Sequence, residues 1–325
     1  MRWTAASAAR TRTAASHCDA DRLIAEDDPR QGRALAGALL LVLTWGASFT
    51  IQKAAYQAMG PGAFLFARSL LMGLCAAGLL LSRGQAPWPQ LRAQERRGFL
   101  LLVAVGPVLH ITLVTFGIHW STAFSSALLM ACGPVFTLML LRLLRGTRVR
   151  RAQALGVALA FAGVLLFMSD KLIGADWRAG GGDLVLLLAA ALFALYTIWV
   201  APFVERHGGV ETMCWTTLCA SPVLMAVSAY AAWQAPYASI PLGIWLAFLW
   251  TVLVSAFLGW MMWGWINAVR GVARTAPLMY LIPPVAGAVA WLVAGESFGG
   301  MKLAGALLVL GGVAVTQFAG RHQPP

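Results

Sequence analysis

From residue 34 onward the chain is a succession of long apolar runs separated by short polar joints. The runs fall at 34–52, 62–81, 98–117, 122–142, 152–169, 183–202, 211–231, 242–264, 272–294 and 301–319. Each is close to the roughly 20 residues that a helix needs to cross a hydrocarbon core about 30 Å thick. The runs are continuous, whereas barrel strands would alternate over about ten residues. The pattern therefore predicts an all-α, polytopic membrane protein with ten transmembrane helices. The narrowest division lies inside 98–142, where His119 and Trp120 mark the turn between the third and fourth runs. Residues 1–32 are polar and carry Glu26, Asp27 and Asp28. They lack the apolar stretch of a secretory signal and read as a disordered cytoplasmic tail. Residues 321–325 read as a second, short cytoplasmic tail.

Composition agrees with the pattern. Of 325 residues, 60% are hydrophobic and 11% charged, against about 45–50% and about 25% in soluble domains. Too few polar residues remain to cover a soluble surface of this size, and a bilayer removes that demand. The net charge of +12 raises nucleic acid as a partner, but no polar basic domain carries a binding face. Nineteen of the 24 Lys and Arg fall in the tails and alternate joints that share one side, and four fall on the other. Positive charge collects on the cytoplasmic side, so both ends are expected in the cytoplasm, with the chain multi-pass in the cell inner (plasma) membrane. Cys75, Cys132, Cys214 and Cys219 lie inside apolar runs and read as small buried residues, with no metal-type spacing. Most of the 14 Trp read as headgroup anchors or packing, Trp260, Trp263 and Trp265 near an inner end among them.

The halves resemble each other at an offset of 149 residues. Ala127, Leu129, Met130, Pro134, Leu143, Gly146, Gly156, Leu159, Gly163 and Val164 match Ala276, Leu278, Met279, Pro283, Leu292, Gly295, Gly305, Leu308, Gly312 and Val313. The proline and glycines carry most of the weight. The offset spans five helices, an odd number, so the copies cross the membrane in opposite directions. Residues 33–170 and 171–320 are thus expected to be two inverted five-helix repeats. Inverted repeats are a transporter device, because two similar halves can exchange an inward-open for an outward-open arrangement.

These residues also resemble the drug/metabolite transporter superfamily, in its EamA-type form with two tandem repeats. The similarity lies in Trp45-Gly46-Ala47-Ser48-Phe49 of the first helix, in Pro61 followed by Phe66-Ala67-Arg68, in Pro134 and Pro283, and in Gly295-Glu296 leading to Gly305 and Gly312-Val313. The resemblance covers about residues 34–319. It implies export of amino acids or other metabolites, no bound cofactor, and a central cavity between the halves to which the fifth and tenth helices contribute less. One departure is Thr147, which stands where the family usually has an acidic residue.

Candidate residues follow. Arg68, well within a span, costs roughly 2.5–3.5 kcal/mol on insertion scales and should face the bundle or water. Its readings are attraction of a substrate carboxylate, a gating ion pair, a contact to helix carbonyls, or snorkelling toward the outer surface. His110, at mid-span, reads as a proton relay or a hydrogen-bonded core residue. Trp45, Phe49, Tyr196, Trp199 and Tyr280 are cavity-lining candidates, each with packing as the alternative. Pro134 and Pro283 interrupt helix hydrogen bonding and read as hinges or cavity-shaping breaks. Glu296 reads as a helix cap or as a gate with Lys53, and Glu211 and Asp183 as first-turn acids. Ser121, Ala123, Ser125 and Ser126 form a small-residue face for close helix approach. No HExxH, GxSxG or phosphate loop occurs, so the chain is not expected to be an enzyme, and no metal site is expected. The partners expected are a small-molecule substrate, the lipid bilayer and a coupling proton or ion. A lipid or lipid-linked sugar flippase, or a membrane-embedded enzyme, are the alternatives.

Overall fold

A computed structural model describes residues 29–173 and 177–318, and the expected carboxyl-terminal tail lies outside them. Ten helices in this part are long and apolar enough to span a membrane. They are α1 (Arg30–Met59), α2 (Pro61–Ser82), α3 (Ala93–Trp120), α4 (Ala123–Arg145), α5 (Arg151–Ser169), α6 (Gly180–His207), α7 (Gly209–Trp233), α8 (Leu242–Arg270), α9 (Ala276–Ala294) and α10 (Gly300–Phe318). Each expected run is present. α1 starts at Arg30, inside the stretch read as tail, and residues 1–28 lie outside the description.

Joint geometry repeats between the halves. Gly60 and Gly208 open α2 and α7 with φ of 80° and 89°. Gly146 and Gly295 close α4 and α9 with φ of 64° and 65°. All four lie where a side chain would be strained, so glycine is the residue that lets the chain reverse tightly there.

Interior irregularities repeat as well. α4 breaks at Ala131 and Cys132 and resumes as a helix over Gly133–Arg145 with Pro134 in its first turn. α9 begins as a 3₁₀ stretch, Ala276–Leu281, and becomes α-helical at Ile282 with Pro283 in its first turn. A proline ring cannot accept the preceding turn's geometry or donate to it, so both helices change pitch at matching places. α3 and α8 each contain a wide π turn, at Ala104–His110 and Trp250–Leu258. The first holds Pro107 and the second has no proline, so the widening belongs to the fold as well as to the proline.

The packing follows a two-fold exchange of the repeats. α2 runs along α7, and α5 along α10. α1 packs on α8 and α9 of the other repeat, and α6 reciprocates on α3 and α4. α5 and α10 meet backbone to backbone. A Cβ at Gly163 would lie 2.5 Å from the Val309 nitrogen, and one at Gly305 would lie 2.5 Å from the Phe167 nitrogen. Small residues are the device by which membrane helices approach this closely, since lipid offers no hydrophobic drive for association. Hydroxyls within the spans turn back onto their own helices: Ser48 donates to Thr44 O, Ser69 to Leu65 O and Thr316 to Gly312 O. That satisfies them where no water is available.

Candidate functional site

Four helices contribute a string of aromatic rings. Trp45 of α1 lies 5.8 Å from Trp260 and 6.0 Å from Trp263 of α8, between ring centroids. Trp260 continues to Phe193 of α6 at 6.3 Å, and Phe193 to Tyr196 at 6.3 Å and to His110 of α3 at 5.1 Å. The string thus joins α1 and α6, the first helices of the two repeats, through a residue of α8. Trp260 remains 40% exposed between them. The indole N–H of Trp45 donates to the Ser255 carbonyl, 2.9 Å away in the π turn of α8.

Space for these rings comes from small partners. A Cβ at Gly259 would lie 2.8 Å from Trp45 Nε1. The Tyr196 ring occupies the position that a side chain at Gly106 would need. In the repeat comparison Gly259 and His110 are equivalent, and so are Trp45 and Phe193 when the first helices are set one residue short of the 149 offset. The pair is indole over glycine in one half and phenyl over imidazole in the other.

His110 is 8% exposed and its Nδ1 lies 2.9 Å from the Ala189 carbonyl. A carbonyl only accepts, so Nδ1 carries the proton and Nε2 is left as an acceptor. Arg68 of α2 is partly buried among α1, α2 and α3, within electrostatic reach of Tyr56 and His110. Among the described residues it makes no ion pair or hydrogen bond, and no carboxylate neighbours it.

The remaining candidates are distributed elsewhere. Phe49 and Tyr280 pack against the apolar cluster built on Tyr56, Phe64, Phe124 and Leu128. Trp199 is 37% exposed and makes no ring contact with the central string. Sequence reasoning missed Phe193, and it read Trp260 and Trp263 as headgroup anchors or packing. They meet Trp45 because their three-residue spacing turns both toward α1, a proximity visible only once α1 is known to cross into the second repeat.

Two polar clusters close the bundle ends. On the face of the α1–α2 joint, Lys53 Nζ donates to the Ser121 carbonyl, and the Ser121 hydroxyl donates to fully buried Asp183. The Glu296 carboxylate accepts from Ala123 N at 2.8 Å, capping α4 from the other repeat. Asp183 and Glu296 thereby link spans. On the opposite face, Arg206 pairs with Glu95, Arg83 with Glu211 at 3.2 Å, and Gln31 donates to Val269 O at 2.9 Å. Glu211 therefore does more than begin a helix, because it ties α7 to the end of α2. Ser125 and Ser126 are fully buried beside Ala123, as a close-approach face requires.

The sequence matches the EamA-like transporter family twice, over residues 32–169 and 180–318. The chain belongs to this family. It is a multi-pass membrane protein, and its family places it among transporters rather than enzymes. This EamA chain is 25% identical over 281 residues to a "Probable terminal-alkyne amino-acid exporter" of Streptantibioticus cattleyicolor, covering 86% of this chain and 92% of that protein. It is 28% identical over 294 residues to a "Probable amino-acid metabolite efflux pump" of Salmonella typhimurium, covering 87% and 94%. A solved crystal structure superposes with a TM-score of 0.57 at 16% identity, covering 90% of this chain and 100% of the other, which establishes the shared fold.

Proposed function

We propose that this EamA chain is a secondary transporter of the inner membrane that exports a small organic metabolite such as an amino acid by alternating access. The reading rests on the reciprocal packing of α1 on α8 and α9 and of α6 on α3 and α4. Two halves related in this way can trade conformations, and a cavity between them then opens to each side in turn. Residues 33–170 and 171–320 act as the two units, with both termini cytoplasmic as the nineteen-to-four split of positive residues suggests. The relatives named as exporters and efflux pumps support the outward direction. Trp45, Arg68, His110 and Tyr196 line the substrate path together with Phe193 and Trp260. The changes of pitch before Pro134 and Pro283 act as hinges. A proton or ion gradient, or the gradient of the substrate itself, drives the cycle.

The test is flux in proteoliposomes across a panel of amino acids, with and without a pH gradient. Saturable flux of at least one solute is expected. No flux for any solute, alongside scrambling of fluorescent lipid, would replace this reading with a flippase.

A further inference from the structure

The joint between α4 and α5 gathers more positive charge than its turn requires. Arg142, Arg145, Arg148, Arg150 and Arg151 fall within ten residues, and all five are exposed. No Asp or Glu occurs in the sequence between Glu95 and Asp170. Elsewhere on this face Arg83 and Arg206 are matched with Glu211 and Glu95. Among the described residues, Arg145, Arg148 and Arg151 pair with no carboxylate. Arg142 donates to the Gly146 and Thr147 carbonyls, each at 3.3 Å, and so folds the joint back on the end of α4. The turn itself asks for no arginine. Gly295 closes α9 with the same left-handed geometry as Gly146, and residues 291–300 hold no Lys or Arg.

We propose that this joint is a docking surface for anionic phospholipid headgroups of the cytoplasmic leaflet. An orientation signal needs only an excess of positive residues on one side, and scattered arginines would supply it. Gathering five in one turn without an acid sets like charges against one another, a cost that an anionic surface removes. Basic clusters directly flanking a span attract acidic lipids, at about fivefold in affinity for each residue near the surface. The joint stands at the bilayer edge, because α4 ends at Arg145 and α5 begins at Arg151. Leu143 and Leu144, in the last turn of α4, are 80% and 51% exposed. An acyl chain can lie on these leucines while a guanidinium fork meets the phosphate. A free phosphate would use the arginines and gain nothing from the leucines. The inference is independent of whether the chain transports.

The test titrates the purified full chain, in neutral detergent, with dioctanoyl phosphatidylglycerol, dioctanoyl phosphatidylcholine and inorganic phosphate. Binding is read by native mass spectrometry and by the rise in unfolding midpoint. Phosphatidylglycerol is expected to bind at least about tenfold tighter than phosphatidylcholine, with inorganic phosphate inactive at the same concentrations. Arg148→Gln combined with Arg151→Gln should weaken phosphatidylglycerol about twentyfold. Arg96→Gln combined with Arg97→Gln removes equal charge from the start of α3 and should leave binding nearly unchanged. Unfolding without lipid shows that each variant folds. On the unaltered chain, raising salt from about 0.05 to 0.5 M should remove most of the preference, because these charges are exposed to screening. Equal binding of the two lipids, a preference that survives high salt, or the same stabilisation by inorganic phosphate would each overturn the inference. So would undiminished binding in the folded Arg148/Arg151 variant, or equal weakening by both pairs, which would replace a local surface with diffuse charge.

Discussion

The indole N–H of Trp45 bonds to the backbone carbonyl of Ser255 across 2.9 Å, from the first repeat into the second. The ring also rests where a side chain at residue 259 would have to be. Gly259→Val should therefore overpack the contact and lower stability by about 1–3 kcal/mol. Trp45→Phe, which keeps a ring and removes one hydrogen bond, should cost about 0.5–1.5 kcal/mol. Unfolding midpoints in detergent for both single variants and the double variant measure the coupling. Additive effects would sink the contact as described.

Gly163 and Gly305 set the approach of α5 to α10. Either glycine changed to Leu should separate the helices and reduce the yield of folded protein. Gly78, where an added Cβ would meet nothing within 4 Å, should accept Leu without loss. Size-exclusion recovery after solubilisation compares the three.

Glu296 caps α4 from the opposite repeat. Glu296→Gln keeps an acceptor for the Ala123 N–H and should be nearly neutral, whereas Glu296→Ala should cost about 1 kcal/mol. Equal melting temperatures for the two variants would remove the cap from the account of this face.

The pH dependence of flux separates two roles for His110. Its Nδ1–H is committed to the Ala189 carbonyl, its ring lies against Phe193, and no carboxylate stands beside it among the described residues. A hydrogen-bonded role without proton transfer is therefore expected, and His110→Gln should leave the shape of the pH–flux curve unchanged. A flattened curve in a folded variant would make His110 the proton relay.

Straightening α4 or α9 should slow transport without unfolding the protein. Pro134→Ala and Pro283→Ala each restore an N–H where the helix changes pitch, so a lower maximal flux with an unchanged melting temperature is expected. Normal flux in both variants would detach the breaks from the cycle.

Much of the architecture was legible in the chain. Apolar length specifies a membrane helix because unsatisfied backbone groups are costly in lipid, and this places all ten spans. The 149-residue offset shows the repeats because Pro134 and Pro283, like Gly146 and Gly295, meet the same backbone demands twice. Arg68 and His110 stand out because polar residues at mid-span are rare. The site itself was only partly legible. Trp45, His110 and Tyr196 were singled out, but nothing in their spacing joins them, while Phe193 carries no signal apart from any other phenylalanine.

Sequence alone thus determined the helices, their number and their inverted pairing, since these depend on local hydrophobicity and backbone preference. Tertiary structure decided that α1 and α6 cross into each other's repeats. It thereby decided which tryptophans face one another, that Trp199 stays apart, and that Asp183 and Glu296 join separate spans. Such contacts depend on which helix faces meet, and a hydropathy pattern is almost silent on that point because lipid and protein interior are equally apolar.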